Sequence, residues 1–190
     1  MHMVTAKVNA EQALEKLQSG NTAYQKEINS GDISADIRHR TLTQGQYPFA
    51  VIVSCSDSRV IPEYVFNTGI GELFVIRVAG NVIDDHQLGS IEYAVEHLEV
   101  KLVVVLGHNH CGAVDAAIHH DPDGYVKFIT DEILKAVGEE KDDYKACCLN
   151  VRRSVNLIET SLKIREEEQN GLKVMGAIYH LEDGRVTFNV

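Results

Sequence analysis

The sequence predicts an α/β fold. It has a mostly parallel central β-sheet, four parallel strands plus a C-terminal antiparallel strand, flanked by helices and preceded by an N-terminal helical arm. Three observations predict it. The short runs "FAVIV", "LFVIRV" and "KLVVVLGH" are apolar almost throughout and rich in β-branched residues, as parallel strands covered on both faces should be. These runs alternate with stretches of helical period, the order that builds βαβ units. The chain ends on "LKVMGAIYHLEDGRVTFNV", which reads as a fourth strand, a Glu-Asp-Gly turn and a return strand.

Taken in order, residues 10–28 read as an amphipathic helix with Ala13, Leu14, Leu17 and Tyr24 near one face. Residues 30–48 read as an irregular arm, and residues 49–55 as a central strand. "IPEYVF" fits a short helix with Pro62 in its first turn, where the missing N–H has no helical partner to lose. Residues 73–78 read as a second buried strand. "DDHQLGSIEYAVEHLEV" is a helix with Leu88, Ile91, Ala94, Val95 and Leu98 on one side, and residues 101–108 are the third strand. Helical sequence fills residues 113–168, broken at "HHDPDGY" and "VGEEKDD". There is no internal repeat, low-complexity tract or Pro/Gly/Ser-rich linker, so residues 1–190 are expected to form a single domain.

The bulk chemistry excludes several partners. A formal net charge of −10 without a Lys/Arg cluster argues against nucleic acid and anionic lipid. No apolar run approaches the length of a membrane span. The first residues, "MHMVTAKVNAEQALEKL", show no secretory pattern, and "MHM" reads partly as an expression scar. Four cysteines are too few for a disulfide framework, so a reducing cytoplasm is expected.

In open α/β sheets ligands bind beyond the carboxyl ends of the strands. Cys55 and His108 each follow a strand, so both fall on that rim, and Cys111 joins His108 in H-x-x-C spacing. A lone H-x-x-C is commonly chance. With Cys55 from the neighbouring strand end it makes a Cys2His donor set, one short of a closed zinc tetrahedron; catalytic zinc sites keep that position for water. In "SCSDSRV", Asp57 and Arg59 share one side of an extended segment by period two. Arginine can grip a carboxylate through two hydrogen bonds. Away from a metal such a pair is a surface ion pair of little worth; beside one, Asp57 is either a fourth ligand or an acceptor for a water hydrogen.

"CSDSRV" and "GHNHCGAV" resemble the two signature segments of the β-class carbonic anhydrases, and "QYPFAVIVSCSDSRV", "GELFVIRVAGNVI" and "GSIEYAVEHLEVKLVVVLGH" extend the likeness over nearly the whole chain. The resemblance implies reversible hydration of carbon dioxide to bicarbonate and a proton. One Zn2+ per chain would be held by Cys55, His108 and Cys111. Asp57 would orient the zinc-bound hydroxide and Arg59 would restrain Asp57. Two thiolates neutralise the metal's charge, so activity is expected to favour mildly alkaline pH. The chain has no Trp, which the family's closed, bicarbonate-regulated members use, so the open arrangement with Asp57 off the metal is expected. Gln46, Phe74, Ala79, Tyr93 and Gly112 match pocket positions, some of them supplied across a subunit interface. The implied assembly is a homodimer or dimer-based tetramer, with residues 1–35 and the final strand in the dimer interface.

Other residues receive plainer readings. Cys147 and Cys148 are buried small hydrophobes, His119 and His120 belong to a solvated loop, and His110 is the better candidate for a proton shuttle. Two rivals stand outside the family. A cysteine-nucleophile enzyme is one, although a phosphatase loop needs a longer Cys-to-Arg spacing than Cys55 to Arg59. A non-catalytic zinc-binding module is the other. Within the family, hydrolysis of carbonyl sulfide or carbon disulfide on the same zinc set is the alternative.

Overall fold

The computed structural model describes residues 8–120 and 122–190; the expectations for the first residues lie outside these. Five strands form one sheet: β1 (Ala50–Ser54), β2 (Leu73–Arg77), β3 (Leu102–His108), β4 (Lys173–Tyr179) and β5 (Val186–Phe188), in the order β2-β1-β3-β4-β5. The first four are mutually parallel and β5 runs antiparallel to β4, as the sequence predicts.

Alternation along the strands divides the core. Val51 and Val53 of β1 and Cys55 just beyond it, with Val103 and Val105 of β3, face a cluster built with α4 (Asp85–His97), α5 (Gly112–His119), α6 (Val126–Val137), α7 (Asp143–Ile158) and α8 (Leu162–Gln169). Ala50, Ile52, Leu102, Val104 and Leu106 face a second cluster with α1 (Ala10–Gln25) and α3 (Pro62–Val65). Coverage on both faces leaves every residue of β1 and β3 buried, which is why their sequences read as unbroken apolar runs.

Helix α1 begins at a capping box, Asn9 with Gln12, and buries Ala10, Ala13 and Leu17. Buried Asn21 fastens it: Nδ2 donates to Val65 O (3.2 Å) and Gly184 O (2.8 Å), and Oδ1 accepts from the Val186 N–H (2.9 Å). Gly20 permits close approach, since a Cβ there would lie 1.9 Å from Phe66 O.

Three expectations are corrected. Residues 30–48 are not wholly irregular but contain α2 (Ala35–Gln44), capped by the Ser34 side chain and ended by Gly45 at φ 84°. None of its residues is buried, so there was no apolar stripe to read and only the caps marked it. β2 is an edge strand with only Leu73 buried, not a second buried strand. The last helical stretch is interrupted before Ser161, whose hydroxyl accepts from the Ile164 N–H and donates to Glu92 (2.6 Å), starting α8. Among the described residues, no helix is long and apolar enough to cross a membrane.

Candidate active site

Strand register assembles the site. Ser54 of β1 pairs with Leu106 of β3, so Cys55, one residue beyond β1, stands level with the end of β3, where His108 is the last residue. Cys111 follows as the residue capping α5. The donor atoms of Cys55, His108 and Cys111 all lie within 4.8 Å of one another, and all three residues are buried.

Their geometry suits a metal. The sulfurs of Cys55 and Cys111 are 4.0 Å apart; two sulfurs bonded to tetrahedral zinc at about 2.3 Å stand about 3.8 Å apart. His108 Nδ1 lies 2.8 Å from Asn109 O, which assigns the proton to Nδ1 and leaves the Nε2 lone pair toward the sulfurs. Among the described residues, that buried Nε2 has no hydrogen-bond partner. Such an orphaned acceptor is costly, and between two sulfurs it is what a metal ligand looks like before its metal.

The electrostatics agree. The Cys55 and Cys111 sulfurs share a hydrogen bond, and with His108 and the N–H groups of Asp57 and Gly80 this draws the Cys55 thiol well below its usual range despite its burial. Cys111 is pushed up by that same neighbour and by burial, so without a metal the pair shares a proton. Burial alone would lower His108, but its contacts with Cys55 and Asn109 outweigh it and the net direction is upward.

Asp57 stands at the rim of this cluster, its Oδ2 3.8 Å from His108 Nε2. Arg59 holds it with Nε to Oδ1 at 2.9 Å and Nη2 to Oδ2 at 2.7 Å, and this grip keeps the carboxyl down at about 2. The backbone corrects one expectation. Residues 55–59 do not run extended; the chain turns, with Val60 N–H to Asp57 O (3.0 Å) and Arg59 N–H to Asp57 Oδ1 (2.9 Å). The carboxylate and guanidinium meet because the turn folds one onto the other.

The other expected residues divide in two. Ala79 lies in the turn Ala79–Asn81 that approaches Cys55, and Gly112 directly follows Cys111. A Cβ at Gly112 would meet nothing within 4 Å, so the chain's own packing does not require a glycine there. Phe74, by contrast, pairs with Val51, four residues before Cys55. At about 3.3 Å per residue it stands roughly 13 Å from its own rim. Tyr93 packs with it (ring centroids 6.2 Å apart) and is 47% exposed, while Gln46 is exposed between α2 and β1.

Several participants carried no signature in the sequence. Arg77, at the end of β2, donates to Cys55 O (3.1 Å) and Asp57 O (2.7 Å), clamping the ligand-bearing turn. Asn109 ties the His108 loop to the C-terminal hairpin, accepting from the Leu181 N–H (3.0 Å) and donating to Glu182 (2.6 Å). His110 is exposed at φ 52°, its N–H on Asp143 Oδ2 at 2.9 Å and its Nδ1 3.5 Å from that oxygen. Cys147 is buried, but Cys148 is half-exposed rather than buried. His119 and His120 are exposed, with His120 3.4 Å from Asp115.

Comparisons with known proteins agree on one family. The profile of the family described as carbonic anhydrase matches residues 50–186. A carbonic anhydrase of Mycolicibacterium smegmatis is 41% identical over 162 residues, spanning 78% of each chain. Carbonic anhydrase 2 of Mycobacterium tuberculosis is 39% identical over 165 residues, spanning 80% of each. Among solved structures, a tetrameric β-carbonic anhydrase of Sordaria macrospora superposes with a TM-score of 0.72 at 26% identity, covering 94% of each chain. The β-carbonic anhydrase CafA of Aspergillus fumigatus gives 0.73 at 27%, covering 94% of this chain and 89% of that one.

Proposed function

The chain belongs to the β-class carbonic anhydrase family, and from that premise we propose that it catalyses zinc-dependent, reversible hydration of carbon dioxide to bicarbonate and a proton. Cys55, His108 and Cys111 hold one Zn2+ per chain. The observation that carries the reading is the partnerless, buried His108 Nε2 beside two sulfurs, with an arginine-held carboxylate 3.8 Å away.

Zinc in this donor set supplies the Lewis acidity that makes water a nucleophile near neutral pH. The remaining work falls to the chain. Asn109 O fixes the His108 tautomer and ring. Arg59 keeps Asp57 ionised, so the carboxylate is acceptor-only, and its double grip holds Asp57 back from the donor cluster. Asp57 accepts a hydrogen from the attacking water and so turns an oxygen lone pair toward carbon dioxide.

Gln46, Phe74 and Tyr93 serve the site of a partner subunit, while Ala79 and Gly112 serve their own. The register that sets Phe74 opposite Val51 supports this division. So does α2, a helix with no buried residue, which a second copy of the chain would cover. The active unit is therefore a homodimer or a dimer-based tetramer, and the Sordaria macrospora relative is described as tetrameric. All four cysteines are free thiols, which suits a reducing cytoplasm.

Turnover on carbon dioxide, carbonyl sulfide and carbon disulfide, measured side by side on one zinc-loaded preparation, tests the reading. Carbon dioxide hydration should dominate. Faster turnover of either sulfur compound would make the protein a hydrolase on the same metal, and no turnover of any would leave a zinc-binding module.

A further inference from the structure

The buried face of α7 is apolar at Ala146, Val151 and Ile158, yet it also carries Cys147, Asn150 and Ser154, all buried. Their i, i+3, i+7 spacing stacks them along one side of the helix. Asn150 and Ser154 meet the backbone of a turn that touches a metal-ligand sulfur. Asn150 Nδ2 donates to Gly80 O at 2.7 Å and Ser154 Oγ donates to Asn81 O at 2.9 Å. The turn caught by Asn150 and Ser154 has Gly80 at φ 67° and Asn81 at φ 45°, and its Gly80 N–H points at the Cys55 sulfur, 3.3 Å away.

Buried amides and hydroxyls on a helix face cost desolvation that a Leu or Val would avoid. Here both side chains are spent on consecutive carbonyls of one left-handed turn, whose adjoining N–H meets a ligand sulfur. Hydrogen bonds to a thiolate withdraw charge from it, and outer partners of this kind orient metal ligands and tune the metal.

We propose that Asn150 and Ser154 are positioning residues for the metal site. They lock the Ala79–Asn81 turn so that the Gly80 N–H stays on Cys55, and so set how tightly zinc is held and how electron-rich the Cys55 sulfur is. The inference rests on Cys55, His108 and Cys111 being zinc ligands.

The test uses the full chain. Zinc affinity is measured by competition with a chromophoric chelator, and the cobalt(II)-substituted protein reports its sulfur-to-metal charge-transfer band. Asn150→Ala and Ser154→Ala should each weaken zinc binding about 10–100-fold and move the band to longer wavelength, because a sulfur without its N–H donor is more easily oxidised. Wild-type affinity and an unmoved band in both alanine variants overturn the inference. If Asn150→Ala does not fold, Ser154→Ala, which removes one oxygen, decides alone. A wild-type chain that takes up no zinc overturns the metal reading itself, and the inference with it.

Discussion

Replacing Gly80 with alanine reaches the site through the backbone. Gly80 has φ 67° and ψ 15°, a left-handed conformation that disfavours L-residues by about 1–2 kcal/mol. The new Cβ would stand 2.8 Å from Ile133 Cδ1 and 3.2 Å from Ala113 Cβ, both too close. Ile133 is fully buried, so its tip must rotate within a filled core; such overpacking costs about 1–3 kcal/mol, and a side-chain tip puts it at the low end. The sum is about 2–4 kcal/mol, which for a chain of this length lowers Tm by roughly 5–15 °C. Differential scanning calorimetry at fixed protein concentration and saturating zinc reads it. Zinc affinity should fall too, since the strained turn moves the Gly80 N–H off Cys55. An unchanged Tm with unchanged zinc affinity would refute both the turn conformation and its contact with the sulfur.

The remaining predictions concern Asp57 and the metal. Asp57→Asn keeps the shape of the side chain but loses its charge and part of its accepting capacity; kcat for hydration should drop about 10²-fold or more while bound zinc, measured by atomic absorption, stays at the wild-type level. Because Arg59 draws the Asp57 carboxyl down to about 2, this pair stabilises the fold above the ordinary carboxylate range and loses that contribution progressively as pH falls from that range through about 2. The acid limb of the rate profile should therefore belong to another group, and carboxyl-carbon NMR should find Asp57 ionised down to pH 3. Removing zinc strands the buried His108 Nε2, and at a thousandfold excess over Kd the metal stabilises by about 4 kcal/mol. A chelator should lower Tm accordingly and zinc should restore it.

How much of this was legible in the sequence depends on what each residue faces. β1 and β3 were plain because both faces are covered, and "GHNHC" and "SCSDSRV" stood out because two strand ends bring their donors to one rim and both segments resemble the family's signatures. Helix α2 was hidden because it buries nothing within the chain, leaving only Ser34 and Gly45 to mark it. The turn at residues 57–60 was hidden because alternating spacing fits both an extended strand and an Asp-capped turn, and only the Val60 to Asp57 hydrogen bond separates them. Phe74 carried a pocket signature but no hint of its distance from the rim of its own chain, which required the β1–β2 register. Arg77, Asn109, Asn150 and Ser154 act through backbone carbonyls and N–H groups, whose positions leave no trace in residue type. Cys147 read as a small hydrophobe, and its buried thiol packs as one.

The most direct measurement is stopped-flow hydration of carbon dioxide on preparations of graded zinc content. The rate should rise in proportion to bound zinc, saturate at one zinc per chain, and be abolished together with tight zinc binding in Cys111→Ser. A zinc-free chain that hydrates carbon dioxide at the same rate, or a zinc-saturated chain that does not hydrate it at all, would contradict zinc-dependent hydration.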